Sequence, residues 1–133
     1  MMEIPAPIFD AMIEHARVEL PAECCGLLAG AGAAISRCFR LRNELASPAA
    51  YRADVRDLFA AFREMREAGL DLIAIYHSHP TSPARPSRVD LAENYYGDTP
   101  RIIVSLAGPA PEIKAFRLGE THFVELAVVR KEN

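Results

Sequence analysis

Residues 72–90 read LIAIYHSHPTSPARPSRVD, and the order of features in this stretch sets the architecture expected around it. Leu72 to Tyr76 is an unbroken apolar run, the pattern of a strand covered on both faces. If the strand continues to His79, then His77 and His79 project from one face and Ser78 from the other, because strand side chains alternate with period two. Pro80 to Pro86 reads as a stiff loop, its three prolines restricting φ. Ser87 to about Tyr95 reads as a short helix, broken by Gly97 and Pro100.

Working outward, Pro5 to roughly Glu19 carries Ile8, Met12 and Ala16 at helical spacing, with Pro7 near the start and Pro21 beyond the end. Cys25 to Ala29 predicts a short strand closed by a turn around Gly30 and Gly32. Ala33 to Leu41 pairs with it as a hairpin. Asn43 to Arg52 is expected as a loop. Asp54 to Ala68 predicts a helix with an apolar stripe of Val55, Leu58, Phe59, Phe62 and Met65, stopped by Gly69. Arg101 to Leu106, Ile113 to Leu118 and Thr121 to Val129 predict three further strands. Three helices around one mixed sheet make an α/β (α+β) sandwich. The 133 residues, half of them hydrophobic, suit one domain spanning 1–133, with no internal repeat.

Composition narrows the function classes. Charged residues are 25% of the chain and the net charge is −3, with arginines interleaved among acids, so no basic field for nucleic acid is expected. No stretch approaches the roughly 20 apolar residues that span a bilayer. The start, MMEIPAPIFD, lacks the basic and apolar regions of a secretory signal, and a cytoplasmic setting is expected. The three cysteines agree, because Cys24 and Cys25 are adjacent, an awkward spacing for a disulfide, and no second cysteine pair suggests a metal cluster.

Two imidazoles on one face at a strand end can converge on a single ion, although H-x-H alone also fits two surface histidines near a turn. Asp90 lies eleven residues beyond His79, across the proline loop, and shares the start of a helix with Ser87. Two histidines, one carboxylate and an open position for water form the ligand set of a catalytic zinc site. A rival account remains at this point: Ser87-Arg88-Val89-Asp90 also fits a capping box, and a carboxylate bonded to the Ser87 amide is not expected to reach a metal as well. A zinc hydrolase further needs a general base. Among 18 acidic residues, Glu64 and Glu67 sit beside Arg63 and Arg66 on an exposed helix face, whereas Glu23 stands at the mouth of the first strand.

The string HSHPTSPARPSRVD (77–90) reproduces a known pattern: H-S/T-H-P, six residues, Ser, two residues, Asp. In this, and in ECCGLL (23–28) upstream, the chain resembles the JAMM (MPN-plus) zinc metalloproteases over essentially its whole length. The resemblance implies the JAMM/MPN fold, a cytidine-deaminase-like mixed β-sheet sandwiched by helices. It implies that His77, His79 and Asp90 ligate one Zn²⁺, that Glu23 is the general base, and that Ser87 donates to the oxyanion. His15 and His122 match nothing in the pattern and are read as structural or surface residues.

Such enzymes cut amide or isopeptide bonds at the C-terminal Gly-Gly of ubiquitin-like proteins. The short chain is most similar to the compact prokaryotic members linked to ubiquitin-like sulfur carriers, some of which release cysteine. No nucleic acid or membrane partner is expected, while the apolar helix stripes would also serve a homodimer. The alternatives are a non-catalytic MPN-type binding scaffold, a cell-wall or phage-tail peptidase, and a zinc deaminase, whose H-x-E…P-C-x-x-C signature is absent.

Overall fold

The computed structural model describes residues 1–92 and 96–132. Its elements run β1 (Met2–Pro5), α1 (Ala6–Val18), β2 (Cys25–Ala31), β3 (Ala34–Leu41), α2 (Val55–Ala68), β4 (Asp71–His79), α3 (Arg88–Ala92), β5 (Arg101–Ser105), β6 (Glu112–Leu118), β7 (Phe123–Leu126) and β8 (Val128–Lys131). Six strands form one sheet in the order β3-β2-β4-β5-β6-β7. The β4–β5 pair is parallel and every other pair in this sheet is antiparallel, so the sheet is mixed, as the sequence predicts.

Residue parity explains the layering. Leu28, Ala74, Tyr76, Ile102 and Val104 face α1, where Met12 and Ala16 are buried. Their strand neighbours Leu27, Ala29 and Ile75 face the opposite way and pack on Ala61 and Met65 of α2. Both faces of β2, β4 and β5 are therefore covered, which is why these strands read as continuous apolar runs. Asp54 caps α2 by accepting hydrogen bonds from the amides of Arg56 and Asp57, at 2.9 and 3.2 Å. Gly69 ends the helix with φ 68°, a left-handed conformation that costs a residue lacking Cβ little.

Three expectations are corrected. β1 is absent from the sequence reading because MEIP is short and contains a proline. Its partner β8 lies at the other end of the chain, so only a non-local parallel ladder makes it a strand. The expected strand Thr121 to Val129 is two strands: β7 extends the main sheet from β6, and after Ala127 the chain leaves to pair with β1. The α2 stripe is only partly core, since Ala61 and Met65 are buried while Val55 and Phe59 are exposed. α3 covers Arg88–Ala92 of the expected Ser87–Tyr95 helix, and the rest of that expectation, 93–95, lies outside the described residues. Among the described residues no helix is long and apolar enough to cross a membrane.

Candidate metal centre

The centre is built at the carboxyl end of β4, beside its parallel neighbour β5, where open α/β sheets expose their sites. β4 runs through His79, so His77 and His79 share a face, and both are buried. Ser78 points the other way. Its Oγ accepts from the Cys24 amide at 2.7 Å, and its own amide donates to the Cys24 carbonyl at 3.1 Å. With Cys25 opposite His77 and Cys24 bonded to Ser78, continuing the antiparallel register brings Glu23 across from His79. The apolar segment CCGLL thus fixes the carboxylate before it.

The proline loop turns the chain back over the histidines. Ala84 packs with Ile103, Phe116 and Leu118, and the Ser105 hydroxyl donates to the Ser82 carbonyl at 2.6 Å. The loop carries a fixing group as well: His79 Nδ1 lies 2.8 Å from the Pro83 carbonyl, which can only accept. Nδ1 therefore carries a proton, and Nε2 is the nitrogen that faces the centre, where it donates to Asp90 when protonated or offers a lone pair to a cation.

Asp90 meets both rings. Its Oδ1 is 3.0 Å from His77 Nε2 and its Oδ2 is 3.1 Å from His79 Nε2, while the two Nε2 atoms are 3.2 Å apart. The capping box forms too, since Asp90 Oδ2 accepts from the Ser87 amide at 2.8 Å and Ser87 Oγ accepts from the Asp90 amide at 3.0 Å. The expected conflict between the cap and the approach to the histidines does not arise, because the capped carboxylate still reaches both rings. A carboxylate has lone pairs enough for cap and centre together, and the cap aims it at the histidines.

Burial, the largest influence on the Asp90 carboxyl, pushes its pKa up, but the hydrogen bonds from His77 and His79 outweigh it and hold the group well below the usual carboxylate range. For His79 burial pulls the pKa down, and the bonds to Asp90 and Pro83 more than reverse it. Burial raises Glu23 to about 8, with the His79 charge opposing and the Asp90 charge adding.

The donor set fits a metal ion. His77, His79 and Asp90 offer ligand atoms that all lie within 4.8 Å of one another. A lone pair on His79 Nε2 facing a carboxylate oxygen and a second imidazole nitrogen is repulsive unless a cation or proton stands among them. Glu23 Oε1 is buried at this centre with no protein hydrogen-bond partner, as expected of a group that bonds to something other than the protein.

The 43–53 loop contributes residues that sequence reasoning missed. Tyr51 stacks on His77, ring centroids 4.8 Å apart, and fixes that imidazole. Asn43 is buried, and its Nδ2 donates to the Glu23 and Ala50 carbonyls while its Oδ1 accepts from the Leu45 and Arg52 amides. The Glu23 amide donates to the Ser47 carbonyl at 2.8 Å, so one loop clamps the Glu23 backbone from both sides. Arg101, the third residue missed, lines a cleft of about 290 Å³ together with Tyr51, His77 and Asp90. No local periodicity marks these three; only the fold brings them together. His15 is structural, buried with Nδ1 2.7 Å from the Tyr76 hydroxyl, and His122 is exposed just before β7 rather than inside a strand.

The family model for prokaryotic homologs of the JAB domain matches residues 5–119. The chain is 33% identical over 121 residues to the CysO-cysteine peptidase of Mycobacterium tuberculosis (strain ATCC 25618 / H37Rv), covering 89% of this chain and 83% of that one. It is 35% identical over 130 residues to a probable TtuB-protein conjugate cleaving protease of Thermus thermophilus, covering 97% and 84%. The solution structure of protein DSY2949 from Desulfitobacterium hafniense superposes with TM-score 0.91 at 33% identity, covering 100% of this chain and 94% of that one. The chain belongs to the prokaryotic JAB-domain family, and its class is that of the JAMM-type peptidases and isopeptidases.

Proposed function

We propose that this protein is a cytoplasmic zinc peptidase, a single domain over residues 1–133, that hydrolyses the amide or isopeptide bond after the C-terminal Gly-Gly of a ubiquitin-like sulfur carrier. The observation that carries the reading is the convergence of His77, His79 and Asp90 ligand atoms within 4.8 Å, across the sheet register from Glu23. These three residues would hold the ion, a donor set that zinc takes in hydrolytic sites. Zinc bound there supplies Lewis-acid polarisation of the scissile carbonyl and a more acidic water.

The chain's own groups account for the proton traffic. Glu23, whose basicity burial raises, would take a proton from the attacking water and return it to the departing amine. Ser87 uses its oxygen to accept from the Asp90 amide, which leaves its hydroxyl hydrogen to bond the oxyanion. The names of the mycobacterial and Thermus relatives, which refer to CysO and TtuB, support a sulfur-carrier substrate. Three free cysteines suit a reducing compartment.

The test is to incubate zinc-loaded protein with ubiquitin-like carriers extended beyond Gly-Gly and follow intact mass. Loss of the extension with wild type and not with His77→Ala is expected. Carriers left whole by wild type would overturn the proposal.

A further inference from the structure

The cleft beside the centre holds a cation to which the hydrolytic roles assign no task. Arg101 opens β5, where parallel pairing sets it beside Ile75 and sets Ile103 beside His77. Paired residues in a ladder share a face, so Arg101 projects from the face that carries His77, one pleat repeat or about 7 Å back along the strand. The residue is 4% exposed, and its guanidinium lies over the Tyr96 ring, 5.5 Å from the centroid. Burial pulls its pKa down, and Tyr51, Tyr96 and Asp90 push the other way, yet an arginine remains charged throughout the working range of a protein.

The rest of the cleft is largely apolar, with Leu45, Leu58, Val89 and Leu118 in its walls. His77 and Asp90 line it too, so a molecule in the cleft reaches the reacting centre. A Gly-Gly tail carries no side chain and gives a guanidinium no charge to meet. The other half of the substrate can. In an α-amino acid joined through its amine, one carbon separates the scissile nitrogen from a carboxylate. A guanidinium presents five donors in a planar fork whose geometry matches a carboxylate bidentately.

We infer that this cleft is the subsite for the released half of the substrate, and that Arg101 binds the α-carboxylate of a single amino acid leaving the Gly-Gly end. The inference rests on the hydrolytic reading above and specifies its leaving group. Water adds across the amide, the C–N bond breaks, the carrier keeps a free carboxylate, and the amine leaves with the proton that Glu23 returns. No electron transfer is involved. A lysine side-chain isopeptide in a folded protein offers no carboxylate at that distance and becomes the poorer substrate.

The experiment compares one ubiquitin-like carrier ending in Gly-Gly with three extensions: alanine, alaninamide, and Nα-blocked lysinamide joined through its side-chain amine. With wild type, kcat/KM is expected to be roughly 10- to 100-fold higher for alanine than for either extension lacking the carboxylate, the range of a lost hydrogen bond to a charged group. Arg101→Gln should lower the alanine rate and bring the alanine-to-alaninamide ratio close to unity, with zinc content unchanged as the check on folding. Equal wild-type rates for alanine and alaninamide would overturn the inference while leaving the hydrolase intact. An Arg101→Gln variant that loads zinc and keeps the wild-type ratio would overturn it as well. Failure of wild type to cleave any of the three defeats the hydrolytic reading itself.

Discussion

Gly26 lies in the ECCGLL segment, and the structure gives a physical reason for a glycine there. It pairs across β2 and β4 with Tyr76, and a Cβ built on it would overlap the Tyr76 ring and hydroxyl. That ring cannot retreat cheaply. It is fully buried among Met12, Ala16, Leu28 and Ile102, and its hydroxyl is 2.7 Å from His15 Nδ1. Overpacking a filled core costs about 1–3 kcal/mol, and parting a buried hydrogen-bonded pair adds about 1–3, so Gly26→Ala is expected to destabilise by roughly 2–6 kcal/mol. That is a large share of a typical total of about 5–15 kcal/mol. Urea unfolding of the metal-free protein, followed by circular dichroism, measures it without the contribution of bound zinc. In a Tyr76→Leu background the same substitution should cost much less, because the atoms it meets are gone. A loss below about 0.5 kcal/mol, or an equal loss in both backgrounds, would refute the reasoning.

The remaining predictions concern titration and positioning. Burial, with a smaller contribution from the Arg40 charge, lowers His15 from 6.5 to about 4, so the unfolded chain binds the extra proton between those values. Stability from this group is therefore fully present above pH 6.5 and falls towards pH 4, by up to about 3 kcal/mol; a wild-type urea midpoint that falls relative to that of His15→Gln over this range checks it. Glu23, raised from 4.5 to about 8, has the opposite sign. Its contribution is intact below pH 4.5 and is lost as pH climbs to 8, so Glu23→Gln should stabilise the metal-free protein at neutral pH by up to about 3 kcal/mol and abolish turnover, read by denaturation and by mass. Asn43→Ala strands the Glu23 carbonyl and two loop amides, and should cost about 2–4 kcal/mol in urea unfolding while lowering kcat more than zinc occupancy.

The sequence is legible where a feature is local. The run to Tyr76, the period-two placement of His77 and His79 and the Gly69 stop all survive in the structure, because each follows from neighbouring residues. The centre was readable for a related reason: its three candidate ligands lie within one segment, 77–90, joined by a loop that prolines stiffen. Glu23 was marked by its place before an apolar strand, and its opposition to His79 then follows from the β2–β4 register. β1 was invisible because its partner β8 is over a hundred residues away, and the break at Ala127 because two sheets compete for one apolar run. Asn43, Tyr51 and Arg101 act through contacts that arise only once α2, β4 and β5 are packed.

The central claim, that His77, His79 and Asp90 jointly hold one catalytic ion, is most directly tested by calorimetric titration of the metal-free protein with zinc. Wild type should saturate at a single ion per chain, and His77→Ala and Asp90→Ala should lose that binding while Glu23→Gln keeps it. Wild type that takes up no zinc, or His77→Ala and Asp90→Ala variants that bind it unchanged, would contradict the account.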